Sequence, residues 1–307
     1  MSTDIEALTT AFSEHLEGAG SLEIVAEGFR FLEGPVWDAK EGRLFFSDIK
    51  GNAIYKWFPE SGVRFFRENS FLANGNTLDH QGRLVTCEHG TSRLTRTDRE
   101  GRYEVLAASF QGKALNSPND VIVRSDGLVL FTDPSSGRSE SYGIPRPQEL
   151  DFQGVYAVDP AGGEPVLLVG DFEFPNGLCL SPDERFLYIN DTRRAHIRVF
   201  PVSAPGKPGE AAPARLGPGK VFAEMPLDLP GFADGMKFDS SGLLFCTGPG
   251  GILVFDTKGG VVGRIYVPEQ TANFAWGGPD YRTLFIAAST RLYAIRLGVP
   301  GLPAPPL

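Results

Sequence analysis

The sequence predicts an all-β protein built as a six-bladed β-propeller. Three observations carry that expectation. Beyond its first residues the chain reads as short aromatic and β-branched runs cut by Gly, Asp and Pro, and its 37 Gly and 24 Pro favour many turns over long helices. One unit, a strand end followed by a polar turn and an apolar run, recurs six times at intervals of about 40 to 58 residues. A further strand near Leu22–Ala26 precedes the first unit and could complete the last blade, closing the ring and removing its open edge.

In chain order, residues 4 to 17 carry Ile5, Leu8, Phe12 and Leu16 at helical spacing with Asp4 as a cap, which predicts a short amphipathic helix packed outside the main body. The six units follow: WDAKEGRLFFSD (37–48), LDHQGRLVTCEH (78–89), VRSDGLVLFTDP (123–134), LSPDERFLYIND (180–191), FDSSGLLFCTGP (238–249) and GPDYRTLFIAAS (278–289). Most are succeeded by another strand and a second turn, as in ILVFDTKGG (252–260), so each unit supplies a four-stranded meander. The polar segment 134–154 reads as a long loop emerging on the face where the inner strands begin, and 201–220 as an extended surface loop between outer strands. The expected organisation is one domain over 1–307, with a helical extension at 1–20 and an irregular tail at 298–307.

Composition excludes several functions. Net charge is −9 and no Lys/Arg run supplies a phosphate footprint, which argues against nucleic acid. No apolar run reaches membrane-spanning length, and the first residues lack a basic region followed by an apolar core, so a cytoplasmic setting without membrane association is expected. Cys87, Cys179 and Cys246 are odd in number, fit no zinc spacing and lie in apolar runs, and read as buried free thiols.

Eight or nine residues before Gly42, Gly82, Gly127, Arg185, Gly242 and Arg282 stand Glu33, Asn74, Asn119, Asn176, Asp234 and Asn273. At the start of innermost strands that all run the same way, these six form a ring at one mouth of the central channel. Two carboxylates and four carboxamides, with no Lys or Arg, are what a hard divalent cation asks for. The competing readings are polar turn formers at strand entrances, or a ring that holds only ordered water. Asp48, Glu88, Asp133 and Asp191, at the ends of the returning strands, are expected around the ring, either orienting ligands or simply initiating turns. None of the four histidines has a neighbouring Ser in a nucleophile elbow, and His89 reads as an exposed loop residue near the mouth.

The stretches FLEGPVW, NSPND, FPNGLCLSPDERFLYIND and FADGMKFDSSG, together spanning 31–242, resemble the sugar lactonase family that includes gluconolactonase and regucalcin (SMP-30). The resemblance implies one divalent cation in the channel mouth, Ca²⁺ first, with Zn²⁺, Mg²⁺ and Mn²⁺ as alternatives. It implies Glu33, Asn176 and Asp234 as its protein ligands, Asn119 as a contact to substrate or metal-bound water, and Asp234 as general base. Asn74 and Asn273 join as substrate contacts from the ring pattern. Relatives of the regucalcin kind carry Arg two residues before that Asn, where this chain has Ser117, so the substrate contact there passes to the 134–154 loop. The expected reaction is hydrolysis of a sugar lactone such as glucono-1,5-lactone. The alternatives are an arylesterase or other lactonase on the same scaffold, and a non-enzymatic calcium-binding interaction module. Whether Asp234 acts as base, ligand or both stays open, because coordination lowers a carboxylate's basicity.

Overall fold

A computed structural model describes residues 4–305. Six antiparallel sheets succeed one another along the chain, each with its first strand innermost. Blade 1 is Leu32–Asp38, Arg43–Asp48, Ala53–Phe58 and Gly62–Glu68, and blade 2 is Ala73–Leu78, Leu84–Glu88, Arg93–Thr97 and Tyr103–Ala107. Blade 3 runs Val121–Val123, Val129–Asp133, Gln153–Val158 and Val166–Phe172, and blade 4 Pro175–Leu180, Phe186–Asp191, His196–Pro201 and Lys220–Glu224. Blade 5 is Met236–Phe238, Leu244–Gly248, Gly251–Phe255 and Val261–Tyr266. Blade 6 takes Thr271–Gly277, Thr283–Ala288 and Arg291–Arg296 from one end of the chain and Glu23–Glu27 from the other. That last pairing, from Glu23 opposite Ala294 to Glu27 opposite Arg291 with one irregularity between Ile24 and Ala26, closes the ring as the early strand signal predicts.

There is no single core. Six apolar clusters fill the six clefts between neighbouring blades: Val36, Phe45 and Ile54 against Ala73 and Leu84, for instance, between blades 1 and 2. Trp37 and Leu44 meet Ala275 and Phe285 across the closing seam between blades 6 and 1. Each sheet therefore buries both faces, which is why its strands read as continuous apolar runs rather than clean alternation. The three cysteines are free and buried in these wedges.

The N-terminal segment departs from expectation. Ile5–Ala7 forms a fifth strand on the outer edge of blade 5, and Thr10–Leu16 is a 3₁₀ helix rather than an α-helix. It is not packed outside the body: Phe12 is fully buried in the cleft between blades 5 and 6, edge-on to Phe245 at 6.1 Å. Gly263 makes this possible, since a Cβ there would collide with the Phe12 ring. His15, also buried, meets Asp239 at 2.5 Å. Residues 298–305 form no strand or helix, with Gly301 bridged to Asp239 and Leu302–Pro305 laid across the end of the channel opposite the ring. Among the described residues no helix is long and apolar enough to cross a membrane.

Phe12 thus plugs an inter-blade cleft. Phe12→Ala should cost about 3–5 kcal/mol in urea unfolding, whereas Leu8→Ala, at a side chain 48% exposed, should stay within about 0.5 kcal/mol.

Candidate active site

The inner strands converge where they begin, and convergence explains the sequence there. In four blades the ring residue is followed by glycine, and a Cβ on that glycine would strike a neighbouring strand. Gly34 faces the Asn74 carbonyl, Gly75 the Asn119 carbonyl, Gly177 the Asp234 carbonyl and Gly235 the Asn273 side chain. These glycines answer close backbone approach around an axis, not a local turn. The side chains before them point into a cavity of about 270 Å³ at the channel mouth, lined by Glu33, Asn74, Asn119, Asn176 and Asp234 with His89, Thr192, Ser136 and Gln270. Its walls are apolar, from Phe31, Ile49, Tyr142, Phe174 and Phe232.

Asn273 is not among the residues that line this cavity, and the expectation that it belongs to the ring is corrected. Gly75 N donates to the Asn119 carbonyl and Gly235 N to the Ala272 carbonyl, so Ala272 is the blade 6 counterpart of Asn119. Asn273, the next residue, therefore sits one position deeper, level with the glycines. There it hydrogen-bonds Glu33 from below, while its Oδ1 accepts from Lys237 Nζ at 3.0 Å and Phe274 N at 2.9 Å. Blade 3 has Asp120 at that same level, where blades 1, 2, 4 and 5 have glycine. The sequence signal was present, an Asp in the glycine column, but turn spacing alone did not isolate it.

Two carboxamides are oriented by chains of hydrogen bonds. Thr192 donates its hydroxyl to the Ala233 carbonyl at 2.6 Å, so its oxygen accepts from Asn176 Nδ2 at 3.0 Å. His89 is buried rather than exposed, and its Nδ1 lies 2.9 Å from the Tyr142 carbonyl. A carbonyl only accepts, so Nδ1 carries the proton and Nε2 accepts from Asn74 Nδ2 at 3.0 Å. Burial lowers the His89 pKa to about 4, which keeps this neutral tautomer. Asn176 Oδ1 and Asn74 Oδ1 are both buried without a protein partner.

The carboxylates are raised by their setting. Burial lifts Glu33 to about 7, opposed by the Gly34 N–H at 2.7 Å and reinforced by the charge of Asp120. Asp234 goes well above its ordinary value, first through burial and then through the negative charges of Glu33 and Asp120. Asp120 is raised by burial and eased by Lys237. Among the described residues no three His, Cys, Asp or Glu gather as a metal cluster, so a cation at the mouth would rely on carboxamide oxygen as well as carboxylate. Two crowded carboxylates beside an unpartnered carboxamide oxygen fit a hard divalent cation.

The acids at the ends of the returning strands do not line the cavity. Asp48 accepts from Arg30 N and Phe31 N, Asp133 from Asn116 N and Ser117 N, and Asp191 from Glu173 N and Phe174 N. They fix the segments that lead into the ring. Glu88, in the same position on blade 2, pairs with Arg67 at 3.1 Å instead.

The 134–154 loop emerges at the mouth as expected. Ser117 Oγ donates to the Pro134 carbonyl and accepts from Gly137 N, and a Cβ at Gly137 would collide with both Ser117 and His89. Arg138 clamps the loop to the Asn116 and Leu115 carbonyls, and Arg146 to His89 O and Ser92 Oγ. The loop itself therefore occupies the space beside position 117.

Comparison with known proteins agrees with this architecture. The family model for the SMP-30/gluconolactonase/LRE-like region matches residues 31–290. A gluconolactonase of Zymomonas mobilis is 32% identical over 310 residues, covering 94% of this chain and 85% of its own. A pentonolactonase of Haloferax volcanii is 28% identical, covering 87% and 84% respectively. The solved structure of a gluconolactonase from Xanthomonas campestris superposes with a TM-score of 0.87 at 32% identity, over 96% of this chain and 95% of that one. The repeated blades, the ring motifs and this near full-length likeness together make the chain a member of the SMP-30/gluconolactonase/LRE-like family.

Proposed function

We propose that this protein is a divalent-metal-dependent lactonase that hydrolyses a sugar lactone such as glucono-1,5-lactone to the aldonic acid. The observation that carries the reading is the pairing of two buried, charge-crowded carboxylates, Glu33 and Asp234, with a carboxamide oxygen of Asn176 that its own hydrogen bonds leave free. Gluconolactonase and pentonolactonase activities are those of the similar proteins, and the polar floor of the cavity supports extending that substrate class here.

Glu33, Asn176 and Asp234 would hold the cation, Ca²⁺ first. When bound it would supply Lewis acidity at the lactone carbonyl oxygen. Asn74 and Asn119 bind sugar hydroxyls, since a carboxamide both donates and accepts. The aromatic walls exclude water and cover the ring's C–H faces. An Asp234 carboxylate oxygen orients the attacking water and takes its proton as the C1–O bond forms. The ring C1–O5 bond then breaks and O5 receives a proton, so one lactone and one water give one aldonic acid. The four aromatic side chains also favour a second reading, a lactone or ester bearing an apolar substituent.

Asp234→Ala should lose bound cation and lower kcat/KM on sugar lactones by about 10³-fold or more. A pH-indicator assay over a panel of sugar lactones and phenyl acetate, with and without EDTA, checks this. Full activity of the variant, or of metal-free protein, would sink the proposal.

His89 yields a pH prediction. Its folded pKa, about 4, lies below its ordinary 6.5. The unfolded chain therefore binds the proton first as pH falls. The contribution is complete above pH 6.5 and is lost towards pH 4, by about 3 kcal/mol. His89→Leu should flatten the stability curve over that window in urea midpoints. With Asn74 freed to turn, the same variant should raise KM about tenfold and leave kcat nearly unchanged.

A further inference from the structure

Below the ring, the channel holds a third carboxylate and an ammonium that the proposed reaction does not use. Asp120 and Lys237 line a second cavity of about 390 Å³ that continues along the channel to its far end. Lys237 Nζ is held by a neutral carboxamide, Asn273 Oδ1 at 3.0 Å, and lies 5.2 Å from the centre of the Phe274 ring. Asn273 in turn bonds Glu33, so the ammonium reaches the ring through one side chain. Glu33, Asp234 and Asp120 set three carboxylates in one channel, and when all three are ionised their charges exceed that of Lys237 by two. A divalent cation supplies the difference.

We propose that Lys237 is a fixed counter-charge of the metal site, a positioning residue that sets the affinity and the valence preference of the cation held at the ring. The inference rests on the metal reading above. It assigns Asp120 and Lys237 a joint role: the one deepens the negative potential, and the other caps it at the level a divalent ion neutralises. Replacing the ammonium by a neutral side chain leaves three negative charges, a better match to a trivalent ion and a tighter hold on a divalent one. Removing the Asp120 charge does the reverse.

The test is calorimetric titration of the full chain with Ca²⁺, and with Tb³⁺ followed by its luminescence, at neutral pH. The variants are Lys237→Met, Lys237→Gln, Asp120→Asn and the Asp120→Asn/Lys237→Met double variant, with Asp234→Ala as the site control. Lys237→Met and Lys237→Gln should bind Ca²⁺ about tenfold or more tighter and raise the preference for Tb³⁺ over Ca²⁺. Asp120→Asn should weaken Ca²⁺ by a similar factor, and the double variant should return to within about threefold of the parent. A merely structural Lys237 would weaken binding in both variants and would not be compensated by Asp120→Asn. Parent binding with unchanged or weaker affinity in both Lys237 variants overturns this inference and leaves the metal reading standing. Should Lys237→Met not fold, Lys237→Gln, which keeps a donor for Asn273, and Asp120→Asn decide alone. Parent binding no different from Asp234→Ala overturns the metal reading, and the counter-charge with it.

Discussion

Everything at the channel mouth depends on closure of the ring by one strand pairing. Glu23–Glu27 lies against Arg291–Arg296, residues more than 260 positions apart in sequence, and the pairing completes blade 6. Only a closed circle forces six innermost strands onto a common axis, and only there do Glu33, Asn119, Asn176 and Asp234 meet. Closure is sustained by the inter-blade wedges, because each cleft is filled from both sides and an unclosed seam would expose Trp37, Leu44 and Phe285 together. The crowding this creates at the strand entrances is absorbed by Gly34, Gly75, Gly177 and Gly235.

Much of this was legible in the sequence because a propeller writes its repeat locally. Turn, apolar strand, second turn recur with little regard to what is inserted between them, so blades, inner strands and the closing strand could be read directly. Failures occurred where one residue's register or a distant partner decides. Asn273 is polar and correctly spaced from its turn, yet the hydrogen bond from Gly235 makes Ala272 the ring counterpart and leaves Asn273 below it. Phe12 has helical spacing, but a recess at Gly263, 251 positions later, draws it into a cleft. His89 is buried by a loop whose path over Ser117 no local pattern encodes. Asp48, Asp133 and Asp191 do sit next to the ring residues, but their oxygens are consumed by backbone N–H groups.

The site divides its work between charge and direction. Glu33, Asp120 and Asp234 provide negative potential in a setting that resists it, whereas Asn74 and Asn176 provide oxygens aimed by neighbouring side chains. Thr192 and His89 are those partners, and each is itself fixed by a main-chain carbonyl. Preorganisation of this kind places the cost of ordering polar groups in folding, so that little of it falls on ligand binding.

The 134–154 loop takes up the space beside Ser117 and is pinned by Arg138 and Arg146 almost wholly through main-chain carbonyls. The shape of that side of the mouth is therefore set by the route of a segment and not by the identity of one residue. A lineage could retune it by lengthening, shortening or exchanging the segment between two fixed strand ends while the ring below stays untouched.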